Sequence, residues 1–472
     1  MKKHDLQPTD ENIRSTFYND SIGRNKELVN FIKIIDSINE SYSIALDSYW
    51  GSGKTFFVKQ VKMILDANNE FTYDSVEERD KVLEKWNQLL GKDIINTNYH
   101  IPIYYDAWAN DNDNDPILSI VYQIIQTVGN HANIEEQKGL SSVFNLAGDI
   151  FALVKGFNPL ELAKKLKSEN PLEAIMQTKS LKERIDEFFE NLIPEHGERL
   201  LIIIDELDRC NPEFAVKLLE RIKHYFNNDK VTFVFAVNLA ELQITIRKYY
   251  GNEFNASRYL DRFFDLRVTL PPPNMEKFYS LIGFGSNFGM IGSLDGIMRV
   301  VFRKNNMQMR DCIKYVSMMK AVNFDLVRKR SYDMDARVCS EIIIFKIIIP
   351  VLWGEMVNNI FLYNRFLREN DCSLLTSFYN DTSTIDIVRN ALLYLFNDVE
   401  LAGKTPNFNS QDDIKKLHIK IREFYNALMN SNGEIFVGQC LVSDRERDLF
   451  HKTAALLSDN IMLEENKKEL GV

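Results

Sequence analysis

The run Ser48-Tyr49-Trp50-Gly51-Ser52-Gly53-Lys54-Thr55 has the residue types of a loop that wraps phosphate. Glycines let successive backbone N–H groups face an anion, a lysine adds charge at the β/γ-phosphates, and the following hydroxyl suits Mg²⁺. Gly51, Gly53, Lys54 and Thr55 retain those groups, with Trp50, Ser52 and Phe56 as the rest of the expected nucleotide cradle. The phosphate-loop template opens on a glycine, where a sharp turn tolerates positive φ. Ser48 stands there instead and implies a different turn or some strain. A second set of chemical groups ends the apolar run Leu200-Leu201-Ile202-Ile203-Ile204, where Asp205 and Glu206 follow directly. Carboxylates at a strand's C-terminal end lie at the mouth of a sheet. Asp205 there suits a Mg²⁺ partner, and Glu206 a base that polarises an attacking water. Asn238 ends a third apolar run, Val231–Val237. Its amide suits either the γ-phosphate or lytic water, as a sensor, or the capping of the helix that follows.

Groups of this kind need a scaffold that brings strand ends together. Five apolar segments have strand character: Tyr42–Leu46, Tyr99–Tyr105, Leu200–Ile204, Val231–Val237 and Leu266–Leu270. The stretches between them carry apolar residues at helical spacing, which describes an α/β fold with a doubly wound parallel sheet. Helices are expected over Thr55–Ala67, Phe214–Phe226 and Lys182–Leu192, the last closing at Pro194. The polar residues 68–98 read as an exposed helical insertion. Upstream, Ile22-Gly23-Arg24 stands at the entrance of a helix carrying Leu28, Phe31, Ile32 and Ile35. The triple proline Pro271-Pro272-Pro273 marks a boundary, beyond which the pattern is helical. The expected organisation is an arm at 1–16, an α/β core at 17–273 with a helical insertion at about 130–180, a helical lid at 274–330 and a C-terminal α-helical module at 331–472.

At 472 residues the chain has room for about two to four domains. A formal charge of −10 argues against a uniformly basic nucleic-acid surface, leaving only local clusters such as Arg328-Lys329-Arg330. The five cysteines are odd in number and contain no Cys-x-x-Cys pair, as expected of reduced thiols in a cytoplasm. The start, Met1-Lys2-Lys3-His4, lacks the apolar stretch of a signal peptide. The run Ile342–Trp353 is shorter than the ~20 residues of a membrane span, and Leu140–Leu166 is interrupted by charges. No membrane span is therefore expected. The histidines form no metal or triad spacing, so nuclease, deaminase and protease chemistry are not expected within the chain.

Four elements, Trp50-Gly51-Ser52-Gly53-Lys54-Thr55, Tyr105-Asp106-Ala107-Trp108, Ile204-Asp205-Glu206-Leu207-Asp208-Arg209-Cys210 and Tyr259-Leu260-Asp261-Arg262-Phe263-Phe264, resemble the KAP family of P-loop NTPases, in that family's order. The resemblance covers roughly residues 17–330 and implies an ASCE-type ATPase core with ATP and Mg²⁺ as cofactors. It implies Glu206 as the catalytic glutamate, Arg310 as a lid arginine reaching back to the nucleotide, and Arg258 or Arg262 as an arginine finger for a neighbouring subunit. In AAA-like relatives an apolar-Gly-Arg element before the phosphate loop contacts adenine, which Gly23-Arg24 matches; an ordinary turn is the alternative. Departures from the family pattern are Ser48, Asn238 where many relatives have Asp, and the absence of an inserted transmembrane pair. The last of these places the chain with a soluble bacterial branch that is often associated with anti-phage defence. The expected function is a Mg²⁺-dependent ATPase that converts nucleotide state into conformational change or assembly. Its expected partners are ATP, a homo-oligomer and/or a separate effector protein. The alternatives are a nucleotide-binding scaffold with little turnover and a nucleic-acid-stimulated motor.

Overall fold

The protein is described by a computed structural model. It describes residues 7–69, 76–91, 99–113, 115–131, 143, 145–150, 171–226, 228–282, 299, 302–303, 307–314, 316, 393, 398–403, 410, 412–413, 415–416, 419–420, 433, 435–437 and 440–442. The chain divides into two compact units, with the boundary at Phe278 and Tyr279.

Five parallel strands form the sheet of the first unit: β1 (Tyr42–Asp47), β2 (His100–Asp106), β3 (Arg199–Asp205), β4 (Val231–Val237) and β5 (Leu266–Thr269). Their spatial order is β2-β3-β4-β1-β5. The in-register pairs Ile203 with Val234 and Ile44 with Val234 lock the three central strands together. Strands β3 and β4 are buried along their whole length, which is why their sequences are continuous apolar runs and not alternating ones.

Side-chain alternation along β3 divides the core into two layers. Leu200, Ile202 and Ile204 point to one layer, with Phe233 and Phe235 of β4. Helices α5 (Pro116–His131), α6 (Pro171–His196), α7 (Pro212–Tyr225) and α8 (Leu239–Tyr250) cover that side. Leu201, Ile203 and Val234 point to the other layer, covered by α1 (Asp10–Tyr18), α2 (Asn25–Asp36), α3 (Lys54–Asn68) and α4 (Val76–Leu90). Each fully buried Leu or Ile contributes ~1.5–3 kcal/mol, so the central strands are the rigid base on which the loops at their ends are held.

Three local expectations are corrected. Residues 68–98 do contain a helix, but α4 is docked and not merely exposed: Val82 and Trp86 are buried in the same layer as Phe57 and Val61. Helix α6 does not close at Pro194 and runs to His196. A proline in the last turn forfeits one N–H bond without ending the helix there. In the second unit, where a purely helical module is expected, the described residues include an antiparallel pair, Ile435–Val437 with Cys440–Val442. Most of the expected insertion segment Leu140–Leu166, the basic cluster Arg328-Lys329-Arg330, the run Ile342–Trp353 and most of 331–472 lie outside the described residues. Among the described residues, no helix is long and apolar enough to cross a membrane.

Candidate functional site

The C-terminal ends of β1, β4, β3 and β2 are tied to one another at one edge of the sheet. The Ser48 amide donates to the Val237 carbonyl at 3.2 Å, the Leu239 amide to Asp47 Oδ1 at 2.9 Å, and the Ala107 amide to the Asp205 carbonyl at 3.0 Å. Because β4 lies between β1 and β3, Asn238 is placed between the glycine-rich loop and the acidic pair. Chain order alone would not put it there.

The loop itself requires its glycines. Gly51 and Gly53 have φ of 77° and 87°, a region that costs other L-residues about 1–2 kcal/mol. Gly53 is the N-cap of α3 and supplies no side-chain cap, so the first N–H groups of that helix are left for an anion. No acidic residue occupies the first turn of α3, and the positive end of the helix dipole is not offset there. Ser52 is buried, and its Oγ has no hydrogen-bond partner among the described residues. Lys54 is 8% exposed. Its ammonium donates to the Ser48 carbonyl and, at 3.2 Å, to that of Tyr49. Burial pushes its pKa down, against the opposing pull of Asp208, Asp205 and Asp47.

Opposite the loop, Asp205 is 1% exposed. Burial pushes its carboxyl pKa up, and hydrogen bonds from the Thr55 hydroxyl, the Tyr104 hydroxyl and the Glu206 amide pull it down. Tyr104 donates to Oδ2 at 3.0 Å and the Glu206 amide to Oδ1 at 2.9 Å. The hydroxyl of Thr55 and the carboxylate of Asp205 thus stand side by side. Hydroxyl and carboxylate oxygens are the hard donors that Mg²⁺ takes, with water and phosphate oxygens completing its shell. The residues present fit that ion.

Glu206 has a left-handed backbone, φ 60° and ψ 23°. Among the described non-glycine residues only Asp20 shares a positive φ. Burial raises its carboxyl pKa and Arg209 lowers it, the two groups meeting at 3.1 Å. Asn238 Oδ1 accepts from the amides of Ala240 and Glu241 at 3.2 and 3.5 Å. The capping alternative is therefore what its oxygen does, and the amide NH₂ remains as a donor.

Gly23 and Arg24 lie at the same sheet edge, beyond β5. Gly23 has φ 69°, and a Cβ there would meet that of Asn274 at 2.5 Å, so both conformation and space demand glycine. Arg24 is 4% exposed and donates from Nη2 to the Pro271 carbonyl at 2.6 Å. Its Nε and Nη1 are buried without partners among the described residues, and burial pushes its pKa down to about 10.

Arg258 and Arg262 are not brought to this edge. Arg258 and Arg262 are exposed and precede Asp265, whose amide donates to the Ser43 carbonyl. At ~3.3 Å per residue, Ser43 is roughly 16 Å along β1 from Ser48, so these arginines lie towards the opposite edge. Arg310 is exposed at the start of a helical stretch in the second unit. Phe56 is buried in the first turn of α3.

Two residues in the site had no role assigned from sequence. Tyr104 could have been suspected from its place two residues before the end of β2, beside the acidic strand. Trp108 stands in the Tyr105-Asp106-Ala107-Trp108 element, but its partner could not be read from sequence because its neighbours come from distant segments. It lies 5.6 Å from the Arg209 guanidinium carbon, measured to the ring centroid.

A family model described as the KAP family P-loop domain matches residues 24–283, more than half of the 472-residue chain. No curated protein matches the chain. Among solved structures, the chain is similar to that of the ORC2 protein of Aeropyrum pernix in ADPNP–ADP complexes. That likeness is at 12% identity with a TM-score of 0.33 and covers 92% of this chain and 95% of that one.

Proposed function

The chain belongs to the KAP family of P-loop NTPases, and from that premise we propose that it is a Mg²⁺-dependent ATPase. The observation that supports this reading best is the single sheet edge shared by the loop, Asn238 and the acidic pair, with the Thr55 hydroxyl bonded to Asp205. In this reading the N–H groups of Gly51–Thr55 and the Lys54 ammonium hold the β- and γ-phosphates. Thr55 and Asp205 hold Mg²⁺, which when bound neutralises phosphate charge and fixes the phosphate chain. Glu206 orients a water and accepts its proton as the water oxygen bonds to the γ-phosphorus. The bond from that phosphorus to the β–γ bridging oxygen breaks, giving ADP and phosphate. The Asn238 amide NH₂ donates to the γ-phosphate or to that water. Gly23 and Arg24 border the adenine, a role that the unpartnered Nε and Nη1 of Arg24 suit.

Arg310 as a lid arginine, and Arg262 or Arg258 as a finger for a second copy, belong to the same proposal. The exposure of Arg262 and its distance along β1 from the chain's own loop favour action between subunits over action within one. A cytoplasmic location is proposed from the cysteine pattern, and a separate effector protein and a part in anti-phage defence from the family resemblance.

The test is calorimetric ATP binding together with Mg²⁺-dependent phosphate release. Lys54→Ala should lose binding, whereas an unchanged ATP affinity would contradict the loop's role. A second reading, a scaffold that binds ATP with little turnover, is favoured by the Glu206 carboxylate being engaged by Arg209. Phosphate release by the parent protein separates the two. A nucleic-acid-stimulated motor predicts turnover that rises with added DNA or RNA and falls steeply with salt.

A further inference from the structure

Arg209 lies in the turn Leu207–Arg209, three residues beyond Glu206, and its Nη1 is 3.1 Å from Glu206 Oε1. Its guanidinium carbon lies over two indoles, 5.8 Å from the Trp50 ring centroid and 5.6 Å from that of Trp108, within cation–π range. The Trp50 indole N–H also donates to Asp208. Three separate segments therefore converge on one cation: the phosphate loop through Trp50, the exit of β2 through Trp108, and the acidic turn itself.

The two indoles are 42% and 52% exposed, so neither is there to fill the core, and Arg209 is the group that they share. A guanidinium is planar and stacks on aromatic faces, and its donors form a rigid fork. Two rings brought up from separate segments therefore restrict where the group can sit. That position sets where Nη1 meets the Glu206 carboxylate. Glu206 needs such support, because its left-handed backbone sets the start of the side chain in a sparsely populated conformation and no described residue other than Arg209 forms an ion pair with it.

We propose that Arg209 is a positioning residue for Glu206, held in place by Trp50 and Trp108, and that Trp50 couples the base to the conformation of the phosphate loop. A shift of the loop displaces one face of the stack and, with it, the carboxylate. This inference rests on the hydrolytic reading given above.

The experiment compares full-length parent, Trp108→Ala, Trp108→Phe, Arg209→Ala and Arg209→Lys in Mg²⁺–ATP phosphate release, with calorimetric ATP binding and circular dichroism on each. Misplacing a catalytic group by about 1 Å can cost ~100-fold. Trp108→Ala and Arg209→Ala should accordingly lose about 10- to 100-fold in kcat with KM and ATP affinity within about twofold of the parent. Trp108→Phe, which keeps an aromatic face, should recover most of that loss, and Arg209→Lys, which keeps charge without the plane, should recover little. Parent-like kcat in Trp108→Ala and Arg209→Ala overturns the proposal. A raised KM with unchanged kcat also overturns it, since that marks a ground-state nucleotide contact. Should the alanine variants fail to fold, the Phe-against-Lys contrast decides, and equal kcat in those two contradicts the stack. Glu206→Gln distinguishes the two levels: parent-like turnover in it removes the hydrolytic reading itself. Impaired Glu206→Gln beside intact Trp108→Ala removes only the stack, and a parent without phosphate release removes both.

Discussion

Replacing Glu206 by glycine and by alanine separates backbone strain from chemistry at the acidic turn. With φ at 60° and ψ at 23°, an L-residue is disfavoured by about 1–2 kcal/mol relative to glycine. Both substitutions remove the ion pair to Arg209, whose side chains are 19% and 22% exposed. That loss is common to the two and cancels. Glycine has more freedom to lose on folding, at about 0.5–1 kcal/mol. At the centre of these ranges the balance leaves Glu206→Gly more stable than Glu206→Ala by about 0.75 kcal/mol. For a unit of this size that corresponds to a Tm difference of about 1–4 °C, readable by differential scanning fluorimetry without nucleotide. Both variants should have lost phosphate release, so the more stable protein gains nothing in activity. A Glu206→Ala melting temperature equal to or above that of Glu206→Gly would refute the left-handed backbone, and with it the claim that strain is held at this residue.

Two further outcomes follow from the geometry. Gly23→Ala combines a positive φ with a Cβ 2.5 Å from that of Asn274, and should destabilise the first unit by ~2–4 kcal/mol in urea unfolding; a loss below about 1 kcal/mol would contradict the close approach. Cys210 and Cys312 are buried, and burial pushes both thiols up, that of Cys312 to about 12. Being thiols and not thiolates at pH 8, both should resist iodoacetamide until guanidinium unfolds the protein, as read by peptide mass mapping; labelling of native Cys210 at the rate of a free thiol would contradict its burial.

The sheet was legible where the physics is local. Leu200–Ile204 and Val231–Val237 are uninterrupted apolar runs because both of their faces are covered, and the glycines of the loop are needed for their own backbone angles. Strand order was not legible. Periodicity along one strand says which faces are buried but not which neighbour it takes, so the placement of β4 between β1 and β3 emerged only from the fold. The convergence of Trp50, Trp108 and Arg209 was hidden for the same reason: the first and last are 159 residues apart in sequence and meet because their strands end at one edge. The pair Ile435–Val437 and Cys440–Val442 escaped notice because three-residue strands are too short to display alternation, although Gly438-Gln439 between them is a readable two-residue turn signal. Asn238 shows a different limit. Its two sequence readings use different atoms of one amide, and the structure assigns the oxygen to the cap while leaving the nitrogen for other chemistry.

In the proposed function Glu206 is the base of a hydrolytic site whose binding groups lie elsewhere. Single-turnover phosphate release at saturating ATP and Mg²⁺ tests it most directly in Glu206→Gln, which keeps size and hydrogen bonding and loses the charge. The expected result is ATP affinity within about threefold of the parent, with release slowed by ~10²- to 10⁴-fold, the range of general-base catalysis. Release at the parental rate would show that Glu206 is not the base.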